Sequence, residues 1–213
     1  MPPNTEQATV QYAVITQPPM LMAGKITPKT LMLFEQNCLD FFINTKGGVH
    51  DDLKVPQILS SFKDIEVLDW IASDRDRLQK VDFSTFMEEL CHNFLPRDWE
   101  ETIRSEILSS KLPSNKPFQD WARAQIVSNC VLRGTTSHFT NDTLRNTLEA
   151  NMGSDLRLLA KEAKAFEMKS LKDWIELMEM IDAKRRNDLK RQREYADEAV
   201  RNASAKRRQT YGN

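Results

Sequence analysis

The side chains with the clearest chemical potential are cations gathered near the end of the chain. Residues 184–213 carry ten basic and four acidic side chains, a net charge of +6, whereas the preceding residues carry 20 basic and 27 acidic ones. Cations at this density attract polyanions such as RNA or single-stranded nucleic acid, because each can neutralise a backbone phosphate. The candidate nucleic-acid contacts are Lys184, Arg185, Arg186, Lys190, Arg191, Arg193, Lys206, Arg207 and Arg208.

The aromatic content of this tail indicates how it would bind. Tyr195 and Tyr211 are too few to form a platform on which bases stack, so binding should depend on charge and show no sequence preference. Two other interpretations stay open. The tail is either a solvated helix whose cations pair with its own acids, or a coiled-coil extension in which Leu189 and Tyr195 are the large apolar residues.

Residue types that support catalysis or metal binding do not occur in a productive arrangement. The chain has three histidines and three cysteines, without Cys-x2-Cys or His-x3-His spacing. His92 follows Cys91 directly, and neighbours on a helix point about 100° apart, so they cannot bind one metal ion together. The segment AGKIT at 23–27 resembles the end of a phosphate-binding loop, but Ile26 stands where a Ser or Thr would meet magnesium. We therefore expect no enzymatic activity, no metal or other cofactor and no small-molecule substrate.

The three cysteines, Cys38, Cys91 and Cys130, each lie in an apolar stripe. Their odd number and wide spacing are typical of buried thiols in a reducing compartment. The first residues lack a basic region followed by an apolar block, so we expect no secretory signal. No segment is apolar over the roughly 20 residues that a membrane span requires, so we expect no membrane partner. These features predict a protein of the cytoplasm or the nucleus.

The elements that must position these side chains are predicted to be helices. Residues 1–25 contain four prolines and no periodicity, so we expect a disordered leader. Thr27 can cap a helix whose first residue is Pro28, because the missing N–H of proline costs nothing there. Further helices are predicted from near Pro56 and after Asp64, followed by a charged loop over ASDRDRLQK.

The stretch FSTFMEELCHNFLPRDW at 83–99 marks the end of one helical package and the start of another. Its apolar residues recur at spacings of three and four, which places them on one face of a helix: Phe83, Phe86, Met87, Leu90, Cys91 and Phe94. Pro96 lacks an amide hydrogen and disfavours helix at Leu95, so one helix cannot continue through this point. A new apolar stripe begins at Trp99.

Capping residues predict the helix boundaries in the second half. Thr140 is a predicted N-cap, Gly153 is suited to a left-handed stop, and Ser170 with Asp173 forms a predicted capping box for the last helix. No alternating strand pattern is present. The predicted fold is all-α, with two small helical bundles and a basic C-terminal helical tail.

Three segments, in this order, carry a resemblance to a known family: FSTFMEELCHNFLPRDWEETIRSEIL, PFQDWARAQIVSN and LRNTLEANMGSDLRLLAK. They resemble the Gag polyprotein of gypsy-type long-terminal-repeat retrotransposons, most closely its fungal branch. The likeness extends more weakly over residues 27–82. In plan, the chain is also similar to domesticated capsids such as Arc.

The resemblance implies a two-lobed capsid protein, with an N-lobe over 26–95, a C-lobe over 96–183 and the basic tail over 184–213. It also implies that the aromatic residues of the family pattern are core residues and not ligand contacts: Phe86, Phe94, Trp99, Phe118, Trp121 and Trp174. The zinc knuckle Cys-x2-Cys-x4-His-x4-Cys that follows the capsid in this family does not occur in these 213 residues.

The function implied by the resemblance is structural. We expect a protein that self-associates into capsid-like assemblies and holds RNA through its basic tail. One alternative stays open, in which a domesticated helical protein uses the same fold to dimerise in a regulatory or adaptor role. Large assemblies are expected in the first case and a discrete dimer in the second.

Overall fold

Residues 7–210 are described by a computed structural model, with side chains described up to residue 202. They form ten α-helices, one 3-10 turn and a single pair of two-residue strands, so the predicted all-α fold is confirmed. The chain divides into two compact units, Met1–Thr102 and Ile103–Asn213. None of the described helices is both long enough and apolar enough to cross a membrane.

Unit 1 consists of a small β-hairpin and five helices, followed by the first residues of a sixth. Its strands are β1 (Val10–Gln11) and β2 (Met20–Leu21), and its helices are α1 (Pro28–Asn44), α2 (Asp51–Ile58), α3 (Ile65–Ser73), α4 (Arg75–Leu78) and α5 (Phe83–Phe94). The sixth helix, α6 (Trp99–Ser109), contains the division between the units, and its first residue packs on the core of unit 1. The division therefore falls inside α6, whereas the sequence placed the lobe boundary at Pro96.

The predicted disordered leader is wrong for residues 7–25, which contain both short strands. β1 and β2 pair antiparallel, and Ala8 and Leu21 are buried in the core of unit 1. The Leu21 amide donates to the Ser61 carbonyl at 2.8 Å, and the Lys63 amide donates to the Leu21 carbonyl at 2.9 Å. The segment is ordered because Leu21 fills the core while its backbone hydrogen bonds are satisfied by a segment far along the chain.

Two helices of unit 1 begin at the predicted caps. The Thr27 hydroxyl accepts the Thr30 amide N–H at 3.2 Å, and Pro28 is the first residue of α1. The Asp64 carboxylate accepts the Glu66 amide N–H at 3.0 Å at the start of α3. These caps depend only on neighbouring residues, which is why the sequence located them.

Two other helix boundaries of unit 1 differ from the prediction. α2 begins at Asp51 and not near Pro56, since acidic residues in a first turn suit the positive end of a helix. The predicted charged loop contains the short helix α4, in which Leu78 is fully buried. Because Leu78 is buried, this segment packs against the core of unit 1.

α5 supplies the central apolar face of unit 1. Phe86 and Leu90, on the predicted stripe, are fully buried. The Trp70 ring packs against the rings of Phe86 and Phe94, in both cases with ring centroids 5.7 Å apart. Phe94 and Trp99 are only partly buried, so they cover the edge of the core and do not lie at its centre. α5 ends at Phe94 as predicted, because the next residue is extended with φ −103° and ψ 153°.

Unit 2 contains the rest of α6 and four further helices. They are α7 (Phe118–Val131), α8 (Asn141–Asn151), α9 (Ser154–Glu162) and α10 (Leu171–Thr210), with a 3-10 turn at Ala165–Glu167. The predicted cap Thr140 accepts the Thr143 amide N–H at 3.2 Å, and Ser170 accepts the Asp173 amide N–H at 3.4 Å. The predicted left-handed stop at Gly153 is wrong, because Gly153 is extended (φ −62°, ψ 153°) and precedes α9 directly.

The core of unit 2 is built around three aromatic rings. The Phe118 ring packs edge-on against Trp121 at 5.7 Å and against Trp174 at 5.6 Å between centroids. All three side chains are buried. Trp121 Nε1 also donates to the Ser110 hydroxyl at 2.9 Å. The Arg145 guanidinium lies 5.4 Å from the Trp174 ring centroid and donates to backbone carbonyls of the 3-10 turn, so it joins that turn to the core.

Candidate nucleic-acid interface

The predicted cations lie on α10 from Lys184 onwards. The first half of this helix packs on unit 2, with Trp174 and Met178 fully buried. Every residue from 187 to 202 is exposed. Because an α-helix rises 1.5 Å per residue, these residues extend about 24 Å past the packed half. We call residues 187–202 the projecting segment.

Asp182 fixes the point at which α10 leaves the rest of unit 2. It is 2% exposed, and its Oδ2 accepts the Phe118 amide N–H at 2.8 Å. Its Oδ1 accepts from Arg185, at 2.8 Å from Nη2 and 3.0 Å from Nε. The Phe118 N–H opens α7 and has no partner within its own helix, so the carboxylate caps that helix from a distant part of the chain. Asp182 thereby ties α10 to the start of α7.

Two of the predicted contacts, Arg185 and Arg186, are used by the fold. The Arg185 side chain is 18% exposed and pairs with Asp182. Arg186 Nη2 donates to the Asn115 carbonyl at 3.3 Å. A guanidinium held by a buried carboxylate is not free to neutralise a phosphate, so the structure corrects the assignment of Arg185. The sequence missed this role because it does not show that Asp182 is buried.

The other predicted contacts do not form one patch. Lys184, Lys190, Arg191 and Arg193 are exposed. Lys190 and Arg193 are three residues apart and share a face, whereas Arg191 points to another side of the helix. Lys190 Nζ lies 3.9 Å from a carboxylate oxygen of Glu194, a loose pair at the surface. Three further predicted contacts lie outside the residues whose side chains are described: Lys206, Arg207 and Arg208.

Positive charge is concentrated at the two ends of the tail helix. The projecting segment is neutral, with four basic and four acidic side chains, and the excess lies at residues 184–186 and 206–208. Along a helix these two clusters are about 33 Å apart. A polyanion that contacts both must follow the helix for that distance. An extended nucleic-acid strand suits this spacing better than a small anion does.

The cysteine thiols of unit 1 are held in their protonated form. Burial raises the pKa of the Cys38 thiol. Burial is also the main reason why the pKa of Cys91 is raised to about 11, and neighbouring carboxylates add to it: Glu35, Glu100 and Glu88. Only the thiolate is a strong nucleophile or metal ligand. Within the described part of the chain, no group of three His, Cys, Asp or Glu side chains is placed to hold a metal ion.

Unit 2 also contains an open groove between α7 and α10 that the sequence did not indicate. Its volume is about 690 Å³, and it is lined by apolar Ile126, Leu171 and Ile175 together with charged residues of both signs, including Arg123 and Glu179. These residues come from segments that are distant in sequence, so no local pattern could predict the groove. Its volume lies in the range of clefts that hold small-molecule ligands.

The described residues thus include the exposed projecting segment, a groove of mixed charge in unit 2 and an aromatic core in each unit. Comparison with known protein families, curated proteins and solved structures gives no match to this chain.

Proposed function

We propose that this protein is a structural protein of the retrotransposon Gag type, which self-associates into capsid-like assemblies. The observation that carries the proposal is the division of the chain into two helical units that each possess a core. Aromatic residues of the Gag-like segments occupy these cores, with Phe86 in unit 1 and Phe118 and Trp121 in unit 2. The order of the segments along the chain is the order expected for an N-lobe followed by a C-lobe.

The physical requirements of a shell subunit support this proposal. Separately folded packages let one kind of subunit fit surfaces of different curvature, and units of about 100 residues are large enough to bury a core. A shell also needs contacts between copies. Large apolar side chains are exposed in both units, among them Ile43 in α1 at 77% and Met180 in α10 at 70%. Such side chains are suited to interfaces.

Binding of RNA by the tail is the second part of the proposal. Lys206, Arg207 and Arg208 at one end of the tail helix, together with Lys184 at the other, would neutralise phosphates of an extended strand, whereas Arg185 is held by Asp182. Because such binding releases counterions, affinity should fall steeply as salt rises. The neutral projecting segment between the clusters contributes less to this attraction.

The assembly is tested on the purified full-length chain by sedimentation velocity and electron microscopy over a range of salt concentrations. The proposal predicts shells or large oligomers at raised salt, where repulsion between like charges is screened. A discrete dimer at every salt concentration would contradict it and favour the adaptor alternative.

RNA binding is tested by replacing Lys206, Arg207 and Arg208 together with glutamine. A matched control replaces three exposed cations elsewhere in unit 2, namely Lys161, Lys164 and Lys169. If each tail cation contacts one phosphate of a single strand, the slope of log affinity against log salt should become shallower by about 2 in the tail variant. The control should keep the parent slope. Equal slopes in the two variants would refute a role for the tail.

A further inference from the structure

Much of the positive charge of the tail lies directly beside the body of unit 2. Residues 184–193 carry six basic side chains and one acidic side chain, whereas residues 194–202 carry one basic and three acidic ones. The neutral total of the projecting segment therefore combines two halves of opposite charge, and its basic half is the one next to the packed part of α10. A polyanion that approaches this half is drawn towards unit 2.

The loop before α7 brings further positive charge to the same place. Residues 110–117 contain Lys111 and Lys116 and no acidic residue. Arg186 Nη2 donates to the Asn115 carbonyl at 3.3 Å. That carbonyl oxygen and the amide nitrogen of Lys116 belong to one peptide group, so the Lys116 backbone lies within about 6 Å of the Arg186 guanidinium. Lys116 therefore lies at the base of the projecting segment.

Hydrogen bonds hold this loop in a defined conformation. The Lys116 amide N–H donates to the Pro113 carbonyl at 3.1 Å, which closes a turn, and Pro117 follows with φ −60°. The Leu112 amide N–H donates to the Asn151 carbonyl at 3.1 Å. The Lys116 side chain itself is exposed. Its ammonium group is thus presented from an ordered backbone, so that contact with a phosphate costs only the ordering of one side chain.

Arg186 keeps its charge available although it bonds to the loop. A carbonyl is a neutral acceptor, and among the described side chains no carboxylate lies within 4.0 Å of the Arg186 guanidinium. A guanidinium has five N–H donors, so one bond to Asn115 leaves others free for a ligand. Arg185 differs, because its charge is compensated by the buried carboxylate of Asp182. The bond to the loop therefore positions Arg186 without neutralising it.

Two further cations lie on the side of α10 that carries Arg186. Lys190 and Arg193 follow it at spacings of four and three, so all three lie within a sector of about 60° around the helix. The row is about 10 Å long. Arg191 points about 160° away from Arg193. One turn beyond Arg193, Asp197 lies on the same side and ends the row.

We propose that the nucleic acid held by the tail also contacts the body of unit 2, and that its phosphates follow Lys116, Arg186, Lys190 and Arg193, which we call the basic track. The loop and the projecting segment meet at Arg186, so a single RNA strand lying there contacts cations from both. Because the contacts are made to phosphates, the track has no base preference. This inference rests on the proposed RNA binding and adds to it a contact outside the tail, Lys116.

The test measures the affinity of the full chain for a fluorescently labelled oligouridine by anisotropy at several salt concentrations. Lys116→Gln and Arg193→Gln each remove one phosphate contact of the track. In each variant the slope of log affinity against log salt should become shallower by about 0.7, and the affinity at 0.1 M salt should fall about fivefold. Circular dichroism checks that the variants keep the helical fold.

Each variant has a matched control with the same change of charge. Lys169→Gln removes an exposed lysine that precedes α10 and lies about 25 Å along the axis from Arg186. Arg191→Gln removes an arginine only two residues from Arg193 but on another side of the helix. Both controls should keep the parent slope.

A parent slope for Lys116→Gln would overturn the track, and so would an equal loss of affinity in Arg191→Gln and Arg193→Gln, since the charge would then act without direction. The glutamine variant of Lys206, Arg207 and Arg208 would in either case still show its shallower slope, which leaves the proposed function intact. If the parent does not bind oligouridine, the RNA-binding part of the proposed function is refuted, and the track with it.

A second test needs no substitution. Lysines of the full chain are acetylated with and without bound oligouridine, and mass spectrometry gives the rate at each position. Lys116 and Lys190 should react several times more slowly when the oligouridine is bound, whereas Lys169 should react at an unchanged rate. Protection of Lys206 without protection of Lys116 would confine the strand to the tail and overturn the track.

Discussion

Replacing Asp182 with alanine should destabilise unit 2 far more than the loss of an ordinary surface charge. The carboxylate is 2% exposed and satisfies the Phe118 amide N–H at 2.8 Å. Removal leaves that N–H buried without a partner, which costs about 1–3 kcal/mol. It also leaves Arg185 without its acid, and breaking a buried ion pair costs about 3–5 kcal/mol. Since Arg185 is 18% exposed and can turn towards water, we expect a total near the lower end, about 3 kcal/mol.

The free energy of unfolding is measured by urea titration followed by far-ultraviolet circular dichroism. Asp173→Ala, which removes an exposed acid from the first turn of the same helix, is the matched control and should lose less than about 1 kcal/mol. Asp182→Asn keeps an oxygen that can accept from Phe118 but loses the charge, so it should fall between parent and alanine variant. A double variant with Arg185→Ala measures the coupling between the two side chains.

A free energy of unfolding for Asp182→Ala within about 0.5 kcal/mol of the parent value, the range of ordinary surface substitutions, would contradict this expectation. That result would mean that water satisfies the Phe118 N–H and that α10 is not held at this point. A large loss with no coupling to Arg185 would assign the whole effect to the cap of α7.

Three further predictions follow from side chains in the two cores. Trp121→Ala should cost about 3–5 kcal/mol, whereas Trp121→Phe should keep most of the packing and lose only the hydrogen bond to Ser110; equal melting of the parent and the alanine variant would place Trp121 outside the core. Leu21→Ala should lower the free energy of unfolding of unit 1 by about 2–5 kcal/mol in urea titration. An unchanged free energy of unfolding would support the original prediction that this segment is disordered. Because its pKa is raised to about 11, Cys91 should react slowly with an alkylating reagent near pH 8.5 in the folded chain, since it has about a hundredfold less thiolate than an unperturbed thiol. Mass spectrometry of labelled peptides measures the rate, and alkylation of Cys91 as fast as in the unfolded chain would contradict the prediction.

Local chemistry explains what the sequence could predict. The caps at Thr27 and Thr140 and the helix break at Pro96 involve only residues a few positions apart, so their geometry is readable from the order of side chains. Gly153 shows the limit of such patterns, because glycine tolerates both the left-handed stop and the extended conformation that it adopts. The stop and the restart of a helix then look alike in sequence.

Contacts between distant segments explain what the sequence could not predict. Leu21 is ordered by backbone bonds to Ser61 and Lys63, and proline content alone gave the opposite expectation. Asp182 and Arg185 look like an exposed pair three residues apart until Phe118 is placed beside them. In the candidate interface, the positions of the cations can therefore be read from the sequence, but not which of them form contacts within the folded chain.

α10 runs without interruption from its buried half into the projecting segment, and this continuity determines how the exposed half stays helical. Starting a helix is unfavourable by a factor of about 10⁻³, whereas adding residues to an existing helix is close to neutral. The buried half around Trp174 acts as the nucleus, so the exposed residues are ordered before any partner arrives. A partner then loses no affinity to the ordering of the chain, and association is limited by encounter. An isolated peptide with the sequence of the projecting segment must form the helix before or during binding. The ratio of the association rate of the full chain to that of the peptide therefore measures what the packed half contributes.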